Sequence, residues 1–78
     1  MSKQMDERKL PVYAVRLRKL REERGLTQRQ VADRCSFSHA MINRYENGLV
    51  EPKASSLITL AGFYHSSTDY ILGIIHET

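Results

Sequence analysis

The sequence predicts an all-α protein of five short helices. No segment alternates apolar and polar residues with the period of two that marks a half-buried strand. Two cap-and-staple signatures, at Thr27 and Ser38, follow one another eleven residues apart. The chain breakers Gly25, Gly48 and Pro52 fall between stretches of helical spacing.

The first helix is predicted from about Pro11, a residue suited to a helix start, to Arg24. Leu10, Ala14, Leu17, Leu20 and Arg21 recur at spacings of three and four, a stripe whose last member is charged. Gly25 supplies the positive-φ stop. The second helix opens on Thr27 and Gln30 in capping-box spacing, with Leu26 placed to staple onto Val31, and runs to Arg34. The third has Ser38 as cap, Phe37 placed to staple onto Ile42, and "NG" at its end. A fourth begins near Ala54 and carries Leu57, Leu60, Ala61 and Tyr64; Ser67 caps a fifth through Asp69, Tyr70, Ile71 and Leu72. Residues 1–10 are read as a flexible arm, 11–73 as the folded domain and 74–78 as a tail.

At 78 residues this is one small domain, which buries only about 60% of the surface its unfolded chain exposes. Formal charge is +3, but it is segregated. Residues 16–44 hold eight Lys/Arg against three Asp/Glu, and residues 45–78 one against four. A basic first half favours a polyanionic partner. Cys35 is the one cysteine, so no intramolecular disulfide forms and no oxidising compartment is needed. Neither a membrane span nor a signal peptide is evident, which leads us to expect a cytoplasmic protein.

Two short capped helices separated by "CSF" must cross steeply, as in a helix-turn-helix. The fragments "RGLTQRQVA", "SHAMINRYENG" followed by Pro52, Leu60 with Ala61, and "STDYILG" add specificity through their order and spacing. Together they resemble the helix-turn-helix family of lambda-type repressors, Cro and Xre-like regulators, over about residues 12–73. The resemblance implies a five-helix domain that binds double-stranded DNA as a homodimer, with helix 3 in the major groove.

The resemblance places Thr27 and Gln28 against the phosphate backbone, where a helix N-terminus suits an anion. His39, Ala40 and Arg44 fall on base-reading positions, with Asn43 beside them, Ser38 at the head of the helix and Asn47 towards phosphate. His39, Ala40, Asn43, Arg44 and Asn47 lie on a face distinct from Ile42 and Tyr45, which the staple turns inwards. The resemblance also pairs Arg21 with Glu46, tying helix 1 to the end of helix 3. The stretch "YILGII" is expected to seat a dimer through Tyr70, Ile71, Ile74 and Ile75. Ile74 and Ile75 follow Gly73 without an obvious internal place, and the alternative is that they fold back on helix 1.

The chain departs from the pattern at three places. Ser36 and His65 stand where glycine is usual, so either a left-handed backbone is strained there or the turns are rearranged. Ser66 replaces an apolar residue beside helix 5. Catalytic readings find no footing: Ser38 and His39 are helical neighbours that cannot face each other. His39, His65 and His76 lack ligand-like spacing with one another or with Cys35. We therefore expect no enzyme activity, cofactor, metal, membrane partner or small-molecule effector. The rival function is an antitoxin-like protein-interaction module on the same fold, which needs an apolar or acidic face on helix 3. The sequence instead places amides and an arginine there, groups suited to phosphates and base edges.

Overall fold

The computed structural model describes residues 9–76. It contains five helices and, among the described residues, no strand: α1 Val12–Glu23, α2 Gln28–Cys35, α3 His39–Glu46, α4 Ala54–Phe63 and α5 Thr68–Leu72. The arm expected at residues 1–10 falls largely outside the described residues. Leu10, assigned to that arm, is instead half-buried against the core.

The starts of the helices follow their caps. Pro11 is the residue before α1, its carbonyl accepting from the Ala14 N–H at 3.0 Å. Thr27 and Gln30 form a reciprocal box: Thr27 Oγ1 accepts from the Gln30 N–H at 3.1 Å and Gln30 Oε1 from the Thr27 N–H at 2.8 Å. Ser38 and Ser67 cap α3 and α5 by accepting from the N–H groups of Met41 and Tyr70.

The ends share one device. After each helix a single residue turns left-handed: Gly25, Ser36, Gly48, His65 and Gly73, with φ of 66, 62, 71, 53 and 87°. The next residue then donates its N–H back into the last turn: Leu26 to Arg21, Phe37 to Ala32, Leu49 to Arg44, Ser66 to Ala61 and Ile74 to Asp69. This is the Schellman closure, which satisfies carbonyls a helix end would leave orphaned. Ser36 and His65 adopt it although each carries a Cβ, so the turns are strained, not rearranged. Glycine is compulsory at Gly48, where an added Cβ would stand 2.6 Å from Pro11 Cδ.

Around these ends lies one core. It takes Tyr13, Ala14, Leu17 and Leu20 from α1, Val31 and Ala32 from α2, and Ile42 and Tyr45 from α3. Leu57, Leu60, Ala61 and Tyr64 at α4, with Tyr70 and Ile71 from α5, complete it. Tyr13, outside the expected stripe, is buried because its hydroxyl reaches the Val50 carbonyl at 3.0 Å. Phe37 meets the ring of Tyr45 edge-on, with centroids 5.9 Å apart. Ser66 Oγ is buried without a hydrogen-bond partner among the described residues, a polar atom whose burial nothing there offsets. Burial pushes the pKa of the Tyr64 hydroxyl well up, and the negative charge of Glu46 adds to the rise. Among the described residues no helix is long and apolar enough to cross a membrane.

Packing places α3 against both α2 and α1, with α1 backed in turn by α5. One long face of α3 therefore remains open to solvent.

Candidate nucleic-acid interface

That open face carries His39, Ala40, Asn43 and Arg44, all exposed, while Ile42, Tyr45 and Glu46 point inwards. An eight-residue helix divides so cleanly because positions three and four apart share a side. Arg44 is exposed and forms no ion pair among the described residues.

Beneath the face is an ion pair. Arg21 Nε lies 2.8 Å from Glu46 Oε2, and Arg21 Nη2 lies 2.9 Å from Glu46 Oε1. Glu46 is 1% exposed. A carboxylate so buried stays ionised only if its oxygens are bonded, and the two-pronged guanidinium supplies that. The same contact pushes the Arg21 pKa further up. Arg21 also donates to the Leu26 carbonyl at 2.8 Å. One side chain thus joins α1, the entry to α2 and the end of α3.

The second donor to Glu46 comes from α2. Gln28 Nε2 donates to Glu46 Oε1 at 3.1 Å. Gln28 Oε1 meets His39 Nε2 at 3.3 Å and accepts from Asn43 Nδ2 at 3.2 Å. The side chain of Gln28 therefore runs along the helix-turn-helix surface, tied to Glu46 on one side and to His39 and Asn43 on the other. Asn47 is occupied in the same way: its Oδ1 accepts from Arg18 at 3.2 Å and its Nδ2 donates to the Asn43 carbonyl at 2.8 Å. Thr27 and Ser38 use their oxygens as caps, while each hydroxyl keeps a proton to donate.

Sequence reasoning missed Arg18 and the linking role of Gln28. Arg18 sits three residues before Arg21, the spacing of one helix face, so the signal existed. Burial pushes the Cys35 thiol up, away from the reactive thiolate.

Tyr70 and Ile71, named as dimer contacts, are 3% and 0% exposed inside their own protomer. They cannot reach a partner, because α5 is amphipathic and turns them onto the core. Leu72, Ile74 and Ile75 remain exposed at 43, 67 and 42%. The tail nevertheless runs back to α1, where Arg16 donates to the carbonyls of Tyr70 and Ile75 and lies over the Tyr70 ring.

Residues 17–71 match the family model for the helix-turn-helix. The chain belongs to the helix-turn-helix family. Within it, the chain is similar to three proteins of Bacillus subtilis (strain 168). It is 33% identical over 58 residues to the HTH-type transcriptional regulator ImmR, covering 74% of this chain and 46% of ImmR. Against the uncharacterized HTH-type transcriptional regulator YobD it is 36% identical over 66 residues, 85% of this chain and 59% of YobD. Against the SPbeta prophage-derived uncharacterized regulator YonR the figures are 31% over 65 residues, 83% and 60%. The chain thus spans about half the length of these relatives. The family match runs through both α2 and α3, so the helix pair of the motif includes the exposed face described above.

Proposed function

We propose that this helix-turn-helix chain is a sequence-specific DNA-binding transcriptional regulator, a repressor that acts by occupying its operator. The observation that carries the reading is the exposed face of α3. It sets one arginine, one histidine and an amide on a rigid helix, locked from behind by Arg21 and Glu46. Such donors fit base edges and phosphates in a major groove, and the Ala40 methyl suits a thymine methyl. The names of the Bacillus relatives, all HTH-type transcriptional regulators, point the same way. A protein-interaction module would need an apolar or acidic α3 face, and this face is neither.

In this reading, Thr27 and the N–H groups opening α2 hold one phosphate, and the hydroxyl of Ser38 another. Two copies paired through Ile74 and Ile75 would set their α3 helices about 34 Å apart, one turn of duplex. Selection from random duplexes, followed by titration at two salt concentrations, tests the assignment. A single enriched two-fold site whose affinity falls steeply with salt is expected. Failure to enrich any sequence would overturn it.

A further inference from the structure

The hydrogen bonds behind α3 have a direction, and the direction reaches the exposed face. Ionised Glu46 can only accept, so the atom of Gln28 that faces it at 3.1 Å must be the amide nitrogen. The amide is planar, so Gln28 Oε1 faces the other way, toward His39 and Asn43. A carbonyl oxygen also only accepts, so both of those neighbours must donate. For His39, whose Nε2 lies 3.3 Å away, this requires the proton on Nε2. In the neutral imidazole, Nδ1 is then a bare acceptor. For Asn43 it assigns one N–H to Gln28, leaving the carbonyl oxygen and the second N–H.

We propose that Glu46, acting through Gln28, sets the hydrogen-bond polarity of the recognition face. His39 presents an acceptor and Asn43 an acceptor with one donor, so both select exocyclic amino groups of bases, adenine N6 or cytosine N4. Arg44, a donor only, is then the reader of guanine O6 and N7. Gln28 and Glu46 are positioning residues that act on the base through their neighbours. The proposal rests on the DNA-binding reading and adds to it the class of base group that each residue takes.

Two measurements test it. The first needs no DNA: nitrogen-15 spectra of His39 at alkaline pH, assigned by comparison with His39→Ala. Nδ1 should be unprotonated and Nε2 protonated in the parent, with the Nδ1–H form gaining weight in Gln28→Met. That substitution lies on a half-buried surface residue, and a thermal melt verifies its folding. An Nδ1–H form dominating the parent, or a tautomer ratio untouched by Gln28→Met, would overturn the relay.

The second uses the selected duplex with single atoms removed. Purine in place of adenine, or pyrimidin-2-one in place of cytosine, deletes the amino group, whereas 7-deazaguanine deletes N7. Deleting the amino group read by His39 should weaken the parent about three- to tenfold, the worth of one hydrogen bond, and leave His39→Ala unchanged. The 7-deazaguanine loss should vanish only in Arg44→Ala. If the His39 effect couples to N7 instead, the residue donates and the proposal falls. If no duplex is selected at all, the DNA reading and the base preference fail together, and the tautomer still decides the relay.

Discussion

Val12, at the first turn of α1, lies against Gly73, just past the end of α5, so closely that an added Cβ would stand 2.9 Å from Val12 Cγ1. The contact holds the start of α1 against the end of α5. Gly73 also has φ +87°, where a side chain is disfavoured. Gly73→Ala should therefore cost about 1–2 kcal/mol. Thermal unfolding of the single variant and of Val12→Ala/Gly73→Ala separates the causes: if truncating Val12 recovers none of the loss, only the backbone angle is responsible.

The Arg21–Glu46 pair should be costly to break from one side. Glu46→Ala leaves Arg21 with the Leu26 carbonyl alone and strips Gln28 of its acceptor. Removing one partner of a buried pair costs about 3–5 kcal/mol. Because Arg21 retains 13% side-chain exposure, the lower end applies. Urea denaturation should show a midpoint well below the parent's; an unchanged midpoint would mean the pair contributes nothing net.

Ser36 and His65 should be improvable. Both are exposed and left-handed, so glycine removes Cβ strain without loss of packing. The strain relieved, about 1–2 kcal/mol, exceeds the entropic cost of glycine, about 0.5–1 kcal/mol. Ser36→Gly and His65→Gly should each raise the melting temperature by a few degrees, and additively, since they lie in different turns. A fall in either would show that the native side chain makes up for its backbone.

Much of this architecture was legible because caps are local. Thr27 with Gln30, and Ser38, announce α2 and α3 from residues within one turn of each other, and the inward course of Ile42 and Tyr45 follows from helical spacing. The links that depend on distant segments were not legible from spacing alone. Tyr13 is buried by a bond to Val50, thirty-seven residues away, and Gln28 is turned by Glu46, eighteen residues away. Arg21 was recognised through family resemblance, since a lone charge at the edge of an apolar stripe names no partner. Tyr70 and Ile71 were misplaced because an apolar run does not say which members a five-residue helix turns inwards.

The proposed dimer seam rests on exposed Ile74 and Ile75. Ile74→Asp/Ile75→Asp introduces two charges where a partner would be dry, while the side chains are already open to water in one protomer. Light scattering should report the monomer mass, and affinity for the selected duplex should drop because two half-sites are no longer bridged. Unchanged mass together with unchanged affinity would remove the seam from the tail.

Arg44 and the start of α2 should differ in what they do to sequence preference. Arg44 projects from the exposed face of α3, and an arginine there can donate two hydrogen bonds to one guanine, about 1–3 kcal/mol of discrimination. Arg29, exposed in the first turn of α2, stands beside the N–H groups proposed to hold phosphate, a contact blind to sequence. It is a cleaner comparator than Gln28, whose amide is tied to Glu46, His39 and Asn43. Arg44→Ala should thus lower affinity for the selected duplex much more than for a scrambled one. Arg29→Ala should weaken both by the same factor and flatten the salt dependence by about one charge. The measurement is the ratio of the two affinities at fixed salt for each variant. Should the ratio survive Arg44→Ala unchanged, Arg44 does not read sequence, and discrimination must come from His39 and Asn43 or from the shape of the duplex.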